Sequence, residues 1–465
     1  MIARNLFRVP AVLRRCVSSK ATAPVCPAPV IEPETKITTL ANGVQVATEQ
    51  TDSPLCAISM FVEAGPRFEV ACNNGITHFI EHMAYKGFIS MRRSDLEDCV
   101  LTSPMRVTAE TTQELQRFTV LCPPDYALDG TAILCKIMME LDLNEREVES
   151  ERCNIALELA DADRDPKAVV FENLIKTAFQ GTSLGQPVIG PTRNLERFDA
   201  DFVRTYMSSH YQPWRVVFAT SGPISHEDMI HNVCKNLGNM QNTLTCTPDK
   251  IDCRYTGSEI LYRDDTEPFA HVCLAVEAPG FTCGEYMTML LLKNAVGSWS
   301  KTQAIGGAWP ELAMRCVDTD LCHSFESFYI AYRDTGLWGI YFVANGMQIE
   351  DMVYNIQNVW MHLCTTIGPS DIERARNVTK FELAMRRNGS LNSSLDIGKE
   401  VMYKSSRPTM VEYDRALNRI VLGKEWAGTA DYHLYDRCPV VSCFGPTEGM
   451  PEYTRTRAGM YWLRL

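Results

Sequence analysis

His78, Glu81 and His82 form the sharpest chemical pattern in the chain, a His-x-x-Glu-His order inside the run Ile76-Thr77-His78-Phe79-Ile80-Glu81-His82-Met83. Four residues apart on a helix, the two imidazoles share one face, and Glu81, three residues after His78, projects beside them. Two imidazoles able to reach one metal, with a carboxylate placed to take a proton from water, are the parts of a hydrolytic zinc centre. Such a centre takes three protein ligands and leaves a fourth position open for water. The stretch from Glu145 to Ala162 reads as a helix that carries candidates for the third. Glu151 and Glu158 are seven residues apart on nearly the same face, so either can close the site.

A purely structural zinc is disfavoured, because closed structural sets are rich in cysteine and none lies at ligand spacing within the histidine segment. The chain has 18 cysteines but no Cys-x-x-Cys spacing, which argues against zinc ribbons and thioredoxin-type centres. His210, His226, His231, His271, His323, His362 and His433 are read as ordinary surface or core histidines.

The elements that must position the site belong to a chain of 465 residues, long enough for two or more compact units. Hydrophobic residues at 45% and charged residues at 22% are ordinary globular values, which exclude a disordered or fibrous body. No run approaches the length of apolar sequence that a membrane span needs. The net charge is -12, although residues 1–31 hold Arg4, Arg8, Arg14, Arg15 and Lys20 with no acid, so the remainder is more acidic still. Such a body is a poor nucleic-acid binder and a good attractor of basic ligands. The leader 1–31 is Arg-rich and acid-free, with Ser18 and Ser19 and apolar residues between its charges. It reads as a mitochondrial transit segment, not a secretory signal, and with that address the cysteines read as reduced, mostly buried thiols.

Behind the leader, Lys36 to Glu49 alternates as strands around the turn Asn42-Gly43, with further strands at Ala57 to Glu63, Arg117 to Cys122 and Val216 to Thr220. Helices are expected from Ile76 to Lys86, Ala127 to Leu141 and Glu145 to Ala162. The second half repeats the order: strands at Glu259 to Tyr262, His271 to Glu277, Phe325 to Tyr332 and Leu337 to Val343, with helices at Tyr286 to Val296, Ile349 to Cys364 and Ser370 to Arg387. The expected plan is α+β, with a zinc-bearing domain at 32–245, a linker at 246–258 and a homologous domain without zinc at 259–465.

The run Asn73-Asn74-Gly75-Ile76-Thr77-His78-Phe79-Ile80-Glu81-His82-Met83-Ala84-Tyr85-Lys86-Gly87 resembles the zinc segment of pitrilysin-type peptidases. The likeness is to the β-type subunits of the mitochondrial processing peptidase and the related core 1 subunits of respiratory complex III. It extends through Glu151-Arg152, Thr177-Ala178-Phe179-Gln180-Gly181-Thr182, Ile189-Gly190-Pro191, Tyr255 to Ile260, Leu321 to Phe325, Asp334 to Gly339 and Trp462-Leu463-Arg464. The resemblance implies two similar α/β roll domains, each an antiparallel sheet with flanking helices, clasped around a cavity. It implies one Zn2+ per chain held by His78, His82 and Glu158, with Glu81 as general base and Glu151 as a second glutamate beside the site. The implied reaction is cleavage of basic N-terminal presequences from proteins imported into the mitochondrial matrix.

The chain departs from the family where a strand pairs with the bound peptide. Here it reads Pro104-Met105-Arg106-Val107-Thr108-Ala109-Glu110, with Thr108, Ala109 and Glu110 at the substrate-binding positions. Pro104 is expected to remove a backbone donor near that edge. Pro66, Phe88 and Gly306-Gly307-Ala308 are further departures. The glycine-rich loop of the α-type subunit is absent, so a working peptidase needs an α-type partner in a heterodimer. The alternative is a structural core subunit of complex III, peripheral on the matrix side of the inner membrane.

Overall fold

The computed structural model describes residues 32–241, 253–303, 309–420 and 424–461. The transit segment, most of the expected linker, the Gly306-Gly307-Ala308 loop and the terminal Trp462-Leu463-Arg464 lie outside the described residues.

Two six-stranded sheets organise the described residues. The first contains β1 (Thr35–Thr39), β2 (Gln45–Gln50), β3 (Cys56–Val62), β4 (Arg106–Thr111), β5 (Gln116–Cys122) and β6 (Val216–Gly222), in the order β1-β2-β6-β3-β5-β4. The second contains β7 (Glu259–Arg263), β8 (Ala270–Pro279), β9 (Ser298–Ser300), β10 (Ser324–Ala331), β11 (Thr335–Ala344) and β12 (Val440–Gly445), in the order β7-β12-β8-β11-β10-β9. Each sheet is antiparallel except for one pair, β2 with β6 and β7 with β12. Matching β2-β6-β3-β5-β4 to β7-β12-β8-β11-β10 superposes the two topologies strand for strand. This is the repeat implied by the strand and helix order of the sequence.

Burial explains why the central strands read as unbroken apolar runs. Every residue of β3 and β6 is buried, which requires cover on both faces. On one face Ile76, Phe79, Ile80 and Met83 of the helix Ile76–Met83 pack with Ile133, Leu134 and Ile137 of the helix Ala127–Met139. The other face is covered by the second lobe, where Ile397 and Val401 of the helix Ser390–Lys404 meet Phe61, Val217 and Ala219. The favour is returned: Val170, Leu174 and Ala178 of the helix Pro166–Ala178 pack on Cys273, Ala275, Tyr341 and Val440 of the second sheet. Each lobe lends one helix to the sheet of the other.

The helix lent to the first sheet approaches on small residues. The Ser394 hydroxyl lies 2.8 Å from Ser59 Oγ and 2.9 Å from the Ala219 carbonyl oxygen. A Cβ on Gly398 would fall 2.0 Å from the Phe61 ring. Gly398→Ala is therefore expected to lower stability by about 1–3 kcal/mol through overpacking, read as a lower denaturant midpoint.

Charged residues also join the lobes. Arg67 pairs with Glu114 and, at 2.8 Å, with Asp334, while Glu114 accepts from the Arg333 amide at 2.9 Å and the Tyr403 hydroxyl at 2.6 Å. Between the lobes lies a cavity of about 550 Å³ bordered by Glu63, Arg67, Glu114 and Arg215 from the first and by Arg333 and Tyr403 from the second.

Among the described residues, no helix is long and apolar enough to cross a membrane. All the described cysteines are free thiols. About half are buried, among them Cys56, Cys122, Cys273 and Cys443, and five are exposed.

Candidate metal centre

The histidine helix begins at Ile76 directly after Gly75, whose φ of 97° is a left-handed conformation that favours glycine. A Cβ there would also lie 2.5 Å from the Ile189 carbonyl oxygen. The helix is regular to Met83 and then continues as a turn to Gly87, shorter than the Ile76 to Lys86 expected. Its apolar face is sunk in the first core, which leaves His78 and His82 on the flank that meets the glutamate helix Glu145–Ala162. That second helix starts where Asn144 caps it by accepting from the Arg146 amide.

His78, His82 and Glu158 converge. His78 Nε2 lies 3.2 Å from Glu158 Oε2 and 3.2 Å from His82 Nε2, and His82 Nε2 lies 2.9 Å from Glu158 Oε2. The edges of a tetrahedral zinc ligand set are about 3.3 Å, given metal–ligand bonds of about 2.0–2.1 Å. Among the described residues this is the one group of His, Cys, Asp and Glu with metal-binding geometry.

The outward nitrogens show what the triangle needs. His82 Nδ1 is 3.1 Å from the Glu151 carboxylate and His78 Nδ1 is 3.5 Å from Glu81. With the Glu151 carboxylate placed to accept the His82 Nδ1 proton, His82 Nε2 can present its lone pair toward His78 Nε2 and Glu158. Two imidazole nitrogens and a carboxylate oxygen converging this closely suit a cation held between them.

Glu151 is 2% exposed and also receives Lys86 Nζ at 2.7 Å and Asn154 Nδ2 at 3.1 Å. Burial works to raise its pKa, but Lys86, Asn154 and His82 together hold it below the ordinary value. It stays an anion that orients His82. For Glu81, burial is likewise outweighed, here by the His78 ring and the Thr111 hydroxyl, and its pKa is lowered. For His78, burial would lower the pKa, yet hydrogen bonds and charge from Glu81 and Glu158 leave it raised.

The Thr111 hydroxyl that steadies Glu81 accepts from Gln116 Nε2 at 3.1 Å, and the same amide reaches the Thr77 carbonyl oxygen at 2.7 Å. Neither Lys86, Thr111 nor Gln116 stands out as a site residue in the sequence. Lys86, four residues after His82, had the helical spacing to be found.

Two family profiles match the chain: Insulinase (Peptidase family M16) over residues 45–192, and Peptidase M16 inactive domain over residues 197–379. The chain belongs to peptidase family M16.

Two similar proteins show the range of the likeness. Cytochrome b-c1 complex subunit 1, mitochondrial, of Homo sapiens is 34% identical, over 98% of this chain and 96% of the relative. Mitochondrial-processing peptidase subunit beta of Homo sapiens is 32% identical, over 93% of this chain and 88% of the relative. Among solved structures, a chain of complex III2 from Candida albicans with Inz-5 bound matches with a TM-score of 0.82 and 23% identity, over 92% of this chain and all of that one. This last likeness concerns the fold. The helix Tyr286–Val296, which corresponds in the second lobe to the histidine helix, carries no histidine, in keeping with a profile described as inactive.

The strand expected at the substrate edge is β4, and among the described residues it is an edge strand, paired only with β5. Its residues alternate exposed and half-buried. Ala109 packs toward the first core, Thr108 offers its carbonyl oxygen to the Tyr85 hydroxyl at 3.2 Å, and Glu110 pairs with Arg117. Pro104 does not affect this edge: the ladder begins at Arg106, and Pro104 sits in the turn after the helix Arg93–Thr102. The lost backbone donor expected from the sequence therefore falls outside the strand.

Proposed function

We propose that this chain is the zinc-bearing subunit of a presequence peptidase in the mitochondrial matrix. In this reading it is an endopeptidase that removes basic N-terminal presequences from imported proteins and works as a heterodimer with an α-type subunit. The observation that carries the reading is the convergence of His78, His82 and Glu158 within 2.9–3.2 Å, with the Glu151 carboxylate on His82 Nδ1.

Zinc held by those three residues would supply a Lewis acid that polarises the scissile carbonyl and acidifies the attacking water. Glu81, ionised at neutral pH, accepts the proton of that water and returns it to the leaving nitrogen. Glu151, fixed by Lys86, holds the His82 ring in place. β4 gives an extended peptide an unpaired strand edge, with Thr108, Ala109 and Glu110 along it. The acidic body attracts basic segments over longer range.

A second reading is supported by the relative named cytochrome b-c1 complex subunit 1 and by the altered β4, in which Glu110 is already paired to Arg117. There the fold serves as a matrix-side core subunit of complex III. Purification of the chain from mitochondria tests the choice. The peptidase reading expects it to co-migrate on native gels with an α-type subunit and with presequence cleavage. Recovery of the whole pool in an inert complex III band would overturn it.

A further inference from the structure

The histidine helix has no capping side chain of its own, since the residue before it is Gly75. Its first-turn amides need acceptors nonetheless. They find one upstream. Glu69, 1% exposed, accepts Asn74 Nδ2 at 2.9 Å and the Gly75 amide at 2.8 Å on Oε2. On Oε1 it accepts the Thr77 amide at 3.0 Å and the Thr77 hydroxyl. Three of the four partners are N–H donors and the fourth is a hydroxyl, a set that suits a carboxylate; burial pushes the Glu69 pKa up, and these same hydrogen bonds pull against that rise. A negative charge at this end of a helix is also favoured by the helix dipole.

We propose that Glu69 is a positioning residue of the metal centre: its carboxylate sets the height and rotation of the histidine helix at which His78 and His82 meet Glu158. Thr77, which it grips twice, is the residue before His78. The helix spans eight residues, too few to hold its own register. The turn leading into it cannot slide to compensate. Asn194 Nδ2 holds the Ala71 and Asn74 carbonyl oxygens at 3.1 and 3.0 Å, Asn74 Nδ2 reaches the Pro187 carbonyl oxygen at 2.9 Å, and Gly75 lies flat against Ile189 and Gly190. The inference rests on the reading that His78, His82 and Glu158 hold zinc.

Glu69→Gln is the test, because the amide turns its NH2 group toward donors at either end while keeping the size. Zinc affinity is measured by chelator competition on the full chain, and ligand geometry by the visible d–d absorption of the cobalt-loaded form. The expected result is about a tenfold to hundredfold loss of zinc affinity with an altered cobalt spectrum. Thr77→Val, which loses only the hydroxyl, is expected to move the same way by a smaller factor. A merely structural role would lower the melting temperature of the metal-free chain and leave both metal readouts alone.

A folded Glu69→Gln chain that binds zinc within twofold of wild type, with the wild-type cobalt spectrum, overturns the proposal. Should Glu69→Gln not fold, Thr77→Val decides: weakened affinity supports the proposal and wild-type affinity overturns it. Failure of the underlying reading looks different, since wild type itself would then bind no zinc and both would fall.

Discussion

A chain carrying Glu158→Gln is expected to fold normally and lose its zinc. The Glu158 side chain is 44% exposed, and its contacts are the two imidazole nitrogens, so the substitution strips a ligand without opening the core. An amide oxygen is a weaker donor to zinc than a carboxylate and adds no charge to offset that of the ion. Affinity is expected to fall on the order of 10³-fold, by comparison with the roughly 10–16 kcal/mol that structural zinc sets supply with all their ligands. Metal analysis after dialysis against a mild chelator reads this as a drop from one zinc per chain to almost none. Retention of stoichiometric zinc by the variant would remove Glu158 from the ligand set.

Glu81→Gln is expected to give the opposite signature, with zinc kept and catalysis lost. Glu81 lies beside His78, 3.5 Å from its Nδ1, and is not one of the three ligand residues. The amide keeps the size of the side chain and leaves the ligand atoms of His78, His82 and Glu158 in place. What disappears is the base, and general-base catalysis is worth about 10²–10⁴-fold in rate. The loss is expected in kcat with KM nearly unchanged, because substrate binding along β4 does not involve Glu81.

The sequence exposes some parts of this centre and hides others for physical reasons. The glutamate helix is readable from Glu145 to Ala162 and the helix from Tyr286 to Val296 because a cap or a glycine marks an end of each. The helix Ser390–Lys404 is not. It buries Ser390, Ser393, Ser394 and Gly398 alongside Ile397 and Val401, and small polar residues on a buried face erase the apolar period. Glu151 and Glu158 are equivalent by spacing, and only the positions of the neighbouring nitrogens separate them, Nδ1 for the first and the two Nε2 atoms for the second. Glu69 gives no signal at all. Its partners Asn74, Gly75 and Thr77 follow through an irregular turn that no helix or strand period describes. Pro104 shows the converse, a residue whose type suggests a damaged edge but whose place, two residues before β4, spares it.

The most direct test of the account is cleavage of an arginine-bearing presequence peptide by the mature chain co-purified with an α-type subunit, with Glu81→Gln run in parallel. The account predicts cleavage by wild type that stops when zinc is chelated, returns when zinc is restored, and falls by about 10²–10⁴-fold in the variant. Wild type and variant that each hold one zinc and are equally inert would contradict it.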